Sequence, residues 1–223
     1  MRHPVQAEKF FTKQERERIG AATRAVKSRT TGEIAVAVVD QSSQYHEAEL
    51  LGGIFLASAI ALVLAVSCFH ASVWSFIPLA FLLSFPCHQL FRHLPVLKRV
   101  FVGHRRKERA VRERALRTFY ERGLYRTRES TGILFFLSLL ERKVWVLADR
   151  GIHLKIHQPT LNKFAAQVSA GIREGRASDA LCGAIEGIGE LLAIHYPADG
   201  QRTGELSDQI ICGPGATCET DAE

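Results

Sequence analysis

The sequence predicts an α/β domain with a small central mixed β-sheet covered by helices, interrupted by a two-helix transmembrane hairpin. Two observations predict this fold class. Residues 50–91 contain no Asp, Glu, Lys or Arg, although the 223-residue chain carries 29 basic and 23 acidic residues. Short apolar or β-branched runs at 33–39, 132–140 and 143–148 alternate with segments whose apolar residues recur at helical spacing. A purely water-soluble protein is therefore not expected.

The first helix and strand precede the uncharged region. Thr12 and Glu15 have the spacing of a capping box, and apolar residues at helical spacing follow to about Arg29. The run EIAVAVV at 33–39 reads as a buried strand, and Asp40 begins its exit loop.

The uncharged region contains two apolar segments, 50–69 and 73–91. A helix of about 20 residues spans roughly 30 Å, which matches the hydrocarbon core of a bilayer. The three residues between the segments permit only an antiparallel hairpin. This short link has no Lys or Arg, whereas seven follow within 20 residues of Phe91, so both termini are expected in the cytoplasm.

The second part of the chain continues the α/β pattern. An amphipathic helix is predicted at 105–123, and the strands 132–140 and 143–148 form an antiparallel hairpin through Glu141 and Arg142. The first of these strands is apolar on both faces, which predicts helices on both sides of the sheet. Two further helices are predicted at 159–174 and 178–195.

One strand and one helix bury no closed core, so residues 1–49 and 92–198 are expected to form a single domain around the inserted hairpin 50–91. Residues 199–223 are acidic and rich in Gly, which predicts a tail that is disordered at its end.

Three segments carry a resemblance to a known family: FTKQERERIGAATRAVKSRTTGEIAVAVV, GLYRTRESTGILFFLSLLERKVWVLADRGIH and GELSDQI. Together they resemble the TPM domain family, specifically its branch of bacterial inner-membrane proteins. The resemblance implies an α/β sandwich with a small central sheet, located at the inner (cytoplasmic) membrane. Some relatives bind divalent cations at strand-end loops, and plant thylakoid relatives are described as acid phosphatases. Other relatives are accessory or assembly proteins.

Polar residues at strand ends are the candidates for a site. Asp40 and Asp149 each follow a strand, and if those ends lie together the two carboxylates could share a divalent cation. Arg128 and Arg150 could bind a phosphate. Asp149-Arg150-Gly151 is equally typical of an ordinary turn. The chain has no DxDxDG loop, GxSxG, HExxH or Gly-rich phosphate loop.

A basic stretch at 92–128 holds 13 Lys or Arg and 3 Glu. It begins where the chain leaves the membrane, so the positive-inside bias accounts for it and no nucleic-acid partner is expected. Its residues Arg105, Arg106, Lys107 and Arg109 are candidates for binding anionic lipid headgroups.

The sequence therefore favours a membrane-anchored, cytosol-facing accessory or binding protein. Its expected partners are the lipid bilayer and either anionic headgroups or a membrane protein. The alternative is a weak metal-assisted phosphatase that uses Asp40 and Asp149 with a divalent cation.

Overall fold

The structure, a computed structural model, describes residues 6–42, 46–68, 73–93, 103–127, 129–198, 210–212 and 216–217. The chain forms two compact units. One, called here the sheet unit, comprises Met1–Ser42 and Glu108–Glu223. The other, called the hairpin unit, comprises Ser43–Lys107.

Eight α-helices and five strands lie in the described residues. The helices are α1 Gln6–Phe10, α2 Lys13–Lys27, α3 His46–Cys68, α4 Val73–His93, α5 His104–Glu121, α6 Arg150–Lys155, α7 Gln158–Arg173 and α8 Ala177–His195. The strands are β1 Glu33–Val39, β2 Gly132–Ser138, β3 Lys143–Ala148, β4 Ile211–Cys212 and β5 Ala216–Thr217.

The sheet is small and mixed, as the sequence predicts, with the strand order β3-β2-β1-β4-β5. β1 is parallel to β2 and to β4, while β3 is antiparallel to β2. The register pairs Glu33 with Gly132 at one end of β1 and Val39 with Ser138 at the other. We call the end near Glu33 the amino edge and the end near Val39 the carboxyl edge.

Both faces of the sheet are covered by helices, which confirms the expectation from the two-sided apolar strand. All seven residues of β1 and all seven of β2 are buried. On one face, β1 and β2 pack with residues of α1, α2, α6, α7 and α8. On the other face, Val111, Ala115 and Phe119 of α5 pack against Ala37 and its neighbours.

The hairpin unit consists mainly of α3 and α4, which pack against each other. Among the described side chains of α3 the buried positions are all small, and four of them, Gly53, Ala57, Ala61 and Ala65, recur every four residues. A Cβ atom on Gly53 would lie 3.1 Å from the Cα of His88, so the two backbones approach closely there. Large apolar side chains point outward from the pair instead, among them Leu51, Phe55, Val63, Trp74, Phe81 and Phe85.

Among the described residues, one helix, α3, is long and apolar enough to cross a membrane by length and composition. Its segment Leu50–Ser67 has a mean hydropathy of 2.4, and 28% of it is buried. Within α4, the apolar stretch Phe76–Leu90 is shorter than such a span requires.

Three local elements differ from the sequence-based expectation. A short helix, α1, precedes the capping box of Thr12 and Glu15, which is itself confirmed. The predicted exit turn at 149–151 is the start of α6, with Asp149 as its N-cap. Part of the predicted tail belongs to the sheet, because Ile211 pairs with Ala37 and is buried. The last residues, 218–223, lie outside the described residues.

Candidate functional site

Asp40 and Asp149 lie at opposite ends of the sheet, so the expected shared cation site is wrong. Asp40 follows Val39 at the carboxyl edge. Asp149 follows β3, whose last residue Ala148 pairs with Ile133 at the amino edge. The length of a seven-residue strand, about 20 Å, therefore separates the two carboxylates. The expectation fails because β3 is antiparallel to β2, so that β3 ends beside the start of β2.

No group of three or more His, Cys, Asp or Glu side chains that could hold a metal occurs in the part of the chain that the structure describes. Asp149 instead accepts a hydrogen bond from the Arg150 backbone N–H at 2.7 Å. This is an N-cap contact, which satisfies a backbone donor at the start of α6. Its other oxygen, Oδ2, is buried and has no hydrogen-bond partner among the described residues.

The amino edge is built mainly from contacts that hold the chain together. Glu33 is buried and forms an ion pair with Lys27 at 2.7 Å between Oε2 and Nζ. The Thr131 backbone N–H donates to the Thr127 hydroxyl at 2.9 Å. Arg150 is exposed here. Its predicted phosphate-binding partner, Arg128, lies outside the described residues.

At the carboxyl edge, Asp40 anchors the N-terminal helix. Its Oδ1 accepts a hydrogen bond from the Ala7 backbone N–H at 2.6 Å. Burial raises the pKa of Asp40 above its ordinary value of 3.8, the hydrogen bond from Ala7 opposes this rise, and the nearby charge of Glu8 adds to it. Asp40 thus accepts a hydrogen bond from an N–H group in the first turn of α1, which is the role that an N-cap residue has in other helices.

A buried polar network lies beside Asp40. The Ser42 hydroxyl donates to the Ser138 hydroxyl at 2.8 Å, and Ser138 in turn donates to Glu141. The Ser42 backbone N–H donates to the other oxygen of Glu141 at 3.1 Å. The network ties the exit of β1 to the β2–β3 turn. Sequence reasoning noted Glu141 but missed the two serines, because only the fold brings them together.

The candidate headgroup-binding residues lie at the start of α5. Arg105, Arg106 and Arg109 are exposed and Lys107 is half-buried. The apolar stripe of the same helix, which includes Val111, is buried on the sheet. The sequence-predicted amphipathic helix is therefore confirmed, and three of its four candidate basic residues are exposed.

Comparison with known proteins gives a fold but no family. No protein-family model matches the chain. No curated protein matches it either. The chain is similar to the NMR structure of the BA42 protein from the psychrophilic bacterium Bizionia argentinensis, with a TM-score of 0.58 and 17% sequence identity. The match covers 92% of this chain and 96% of BA42. At this identity the likeness concerns the fold alone.

Proposed function

We propose that this chain is a TPM-like domain anchored in the bacterial inner membrane, where it serves as a binding or accessory protein rather than as an enzyme. The anchor is the helix pair α3 and α4: α3 crosses the bilayer, and α4, whose apolar stretch is shorter, returns through it over its full 21 residues, so that both termini lie in the cytoplasm. The domain binds anionic lipid headgroups through the basic residues at the start of α5.

The observation that carries the proposal is the inverted packing of the hairpin unit. In a soluble protein the large apolar side chains are buried, and extended apolar patches on a monomer mark an interaction surface. Here Phe55 is 67% exposed, Trp74 89% and Phe81 82%, while Ala57 and Ala61 are buried. Small residues at helix–helix contacts with large apolar residues outside are typical of helices in lipid.

The charge pattern supports the cytoplasmic orientation and the headgroup partner. Positively charged residues flank cytoplasmic ends of membrane helices, and each gains about 1 kcal/mol near an anionic surface. Arg105, Arg106 and Arg109 follow α4 in sequence and are exposed. A metal-assisted phosphatase that pairs Asp40 with Asp149 has no such support, since the two lie at opposite edges of the sheet.

The membrane anchor is tested by fractionation and topology. The full chain should remain in the membrane pellet after alkaline extraction. A reporter active only in the cytoplasm should give signal when fused to the C-terminus and none when inserted at Ala71. Release of the chain by alkali would contradict the anchor, and signal at Ala71 would contradict the orientation.

Headgroup binding is tested by titrating the full chain, in zwitterionic detergent, with soluble short-chain phosphatidylglycerol and phosphatidylcholine. Binding should be confined to the anionic lipid and should weaken as salt rises. The triple variant R105Q/R106Q/R109Q should lose most of it. The matched control K155Q/K163Q/R173Q removes the same charge from exposed residues elsewhere, and it should bind as the wild type does. Equal loss of lipid binding in both variants would show that net charge alone, and not the position of these arginines, accounts for the binding.

A further inference from the structure

A cavity of about 410 Å³ lies at the carboxyl edge of the sheet unit, beside the β2–β3 turn. Its wall combines apolar side chains of Phe10, Leu139 and Ile172 with basic side chains of Lys9 and Arg142. The volume lies within the range of small-molecule sites, which are mostly apolar with a few polar groups that orient the ligand. This combination fits an anion that carries an apolar body.

The two cations are available to such a ligand. Lys9 and Arg142 are exposed, and neither side chain has an ion pair or hydrogen bond within the residues that the structure describes. Lys143 also lines the cavity but already interacts elsewhere, so it is not counted as a ligand group.

Several backbone donors of the turn at and beside the cavity are already used. The backbone N–H groups of Leu139, Leu140 and Arg142 donate to carbonyl oxygens at 3.0, 2.8 and 3.3 Å. The Ser138 hydroxyl, which also lines the cavity, donates to Glu141. Phosphate sites in proteins usually draw on several backbone N–H groups. Because the N–H groups of this turn are engaged, recognition falls to the side-chain cations. These suit a planar carboxylate, whose two oxygens match the paired N–H donors of one arginine.

We propose that this cavity binds a small organic carboxylate with an apolar body, with Arg142 and Lys9 holding the carboxylate and Phe10, Leu139 and Ile172 enclosing the body. The site goes beyond the proposed function, because it uses neither α5 nor the hairpin unit. Lys9 and Phe10 reach the cavity from α1, which the Asp40 contact holds in place.

Calorimetric titration of the full chain in detergent tests the site. The probes are 1-naphthoate, which has an aromatic body, and octanoate, which has an aliphatic one. The probe that binds more tightly shows which kind of body the cavity prefers. Acetate lacks the body and 1-naphthamide lacks the charge, so both should bind at least about tenfold more weakly. 1-Naphthyl phosphate should bind no more tightly than 1-naphthoate. Absence of saturable binding by both carboxylates, or clearly tighter binding of the phosphate, would overturn the proposal.

Variants assign the binding to the cavity. Lys9→Gln and Arg142→Gly should each weaken the carboxylate by about tenfold, since each removes one charged hydrogen-bond donor. Arg142 has φ 50°, a left-handed conformation that glycine adopts without strain, so the variant keeps the turn intact. Lys163→Gln removes an exposed charge from α7 away from the cavity and should bind as the wild type does. Unchanged binding in the K9Q/R142G double variant would refute the assignment.

Discussion

Asp40 joins the end of β1 to the first turn of α1 through a single carboxylate oxygen. Burial, the largest influence, raises its pKa in the folded state above 3.8. The folded protein therefore keeps the proton of Asp40 to a higher pH than the unfolded chain does. Between the two pKa values the native state binds more protons, so the contribution of Asp40 to stability falls as the pH rises through this window.

The variant Asp40→Asn makes this effect measurable. Asparagine keeps an acceptor oxygen for the Ala7 N–H but does not titrate. The stability of the wild type relative to Asp40→Asn should decline as the pH rises from below 3.8 through the folded pKa, and then level off. Unfolding of both proteins across this pH range measures the difference, in which the other carboxylates cancel. If the stability of the wild type relative to Asp40→Asn instead grew with pH, the Ala7 hydrogen bond, and not burial, would have the larger effect on the pKa of Asp40.

Gly151 lies too close to two backbone carbonyl groups to carry a side chain. A Cβ atom there would lie 2.4 Å from the Glu129 carbonyl oxygen and 2.5 Å from that of Ser130. Gly151→Ala should therefore lower the free energy of unfolding by about 1–3 kcal/mol. The matched control is Gly183→Ala in α8, where the nearest atom is 3.7 Å away. That change should raise stability by about 0.5–1 kcal/mol, because alanine favours a helix. Two changes of the same sign would contradict the steric account.

At the scale of elements, the short strand β4 extends the sheet beyond the central strand. Ile211 of β4 is 6% exposed and packs on the α5 face. Ile211→Ala should cost about 2–5 kcal/mol, the usual range for a buried isoleucine. Ile194→Ala, at a position 72% exposed on α8, should change stability by less than about 0.5 kcal/mol. Chemical unfolding measures the free energy of unfolding of both variants. If Ile211→Ala left this free energy unchanged, the stability of the sheet would not depend on β4.

The elements that the sequence predicts well are those with long periodic patterns. The seven-residue runs at β1 and β2 and the amphipathic α5 all carry enough repeats to define their faces. α6 has six residues and β4 only two, too few for any period to be visible.

Within the site, Ser42 and Ser138 are 96 residues apart, so their hydrogen bond follows from strand register and not from local sequence. The expected pairing of Asp40 with Asp149 is wrong although the antiparallel hairpin is confirmed, because the reversed direction of β3 places Asp149 at the amino edge.

For the whole molecule, the position of β1 decides which pieces of the chain can fold. β1 lies between β2 and β4 and supplies buried residues to both faces of the sheet. Residues 108–223 expressed without residues 1–42 should therefore lack a cooperative unfolding transition. Loss of a single buried branched side chain costs about 1.5–3 kcal/mol, whereas whole domains are stable by only about 5–15 kcal/mol. Co-expression of residues 1–42 as a separate peptide should restore protease resistance. A protease-resistant core in the isolated C-terminal piece would contradict this prediction.

The parallel pairing of β1 with β2 also fixes an order of events during synthesis. Glu33 pairs with Gly132, and all of α3 and α4 is made between them. At about 5–20 residues per second the ribosome adds the intervening stretch in roughly 5–20 s. Throughout this delay the nascent β1, apolar at six of its seven positions, has no partner strand. Unpaired apolar strands are prone to aggregate, so β1 is most exposed to aggregation in the interval before translation reaches β2.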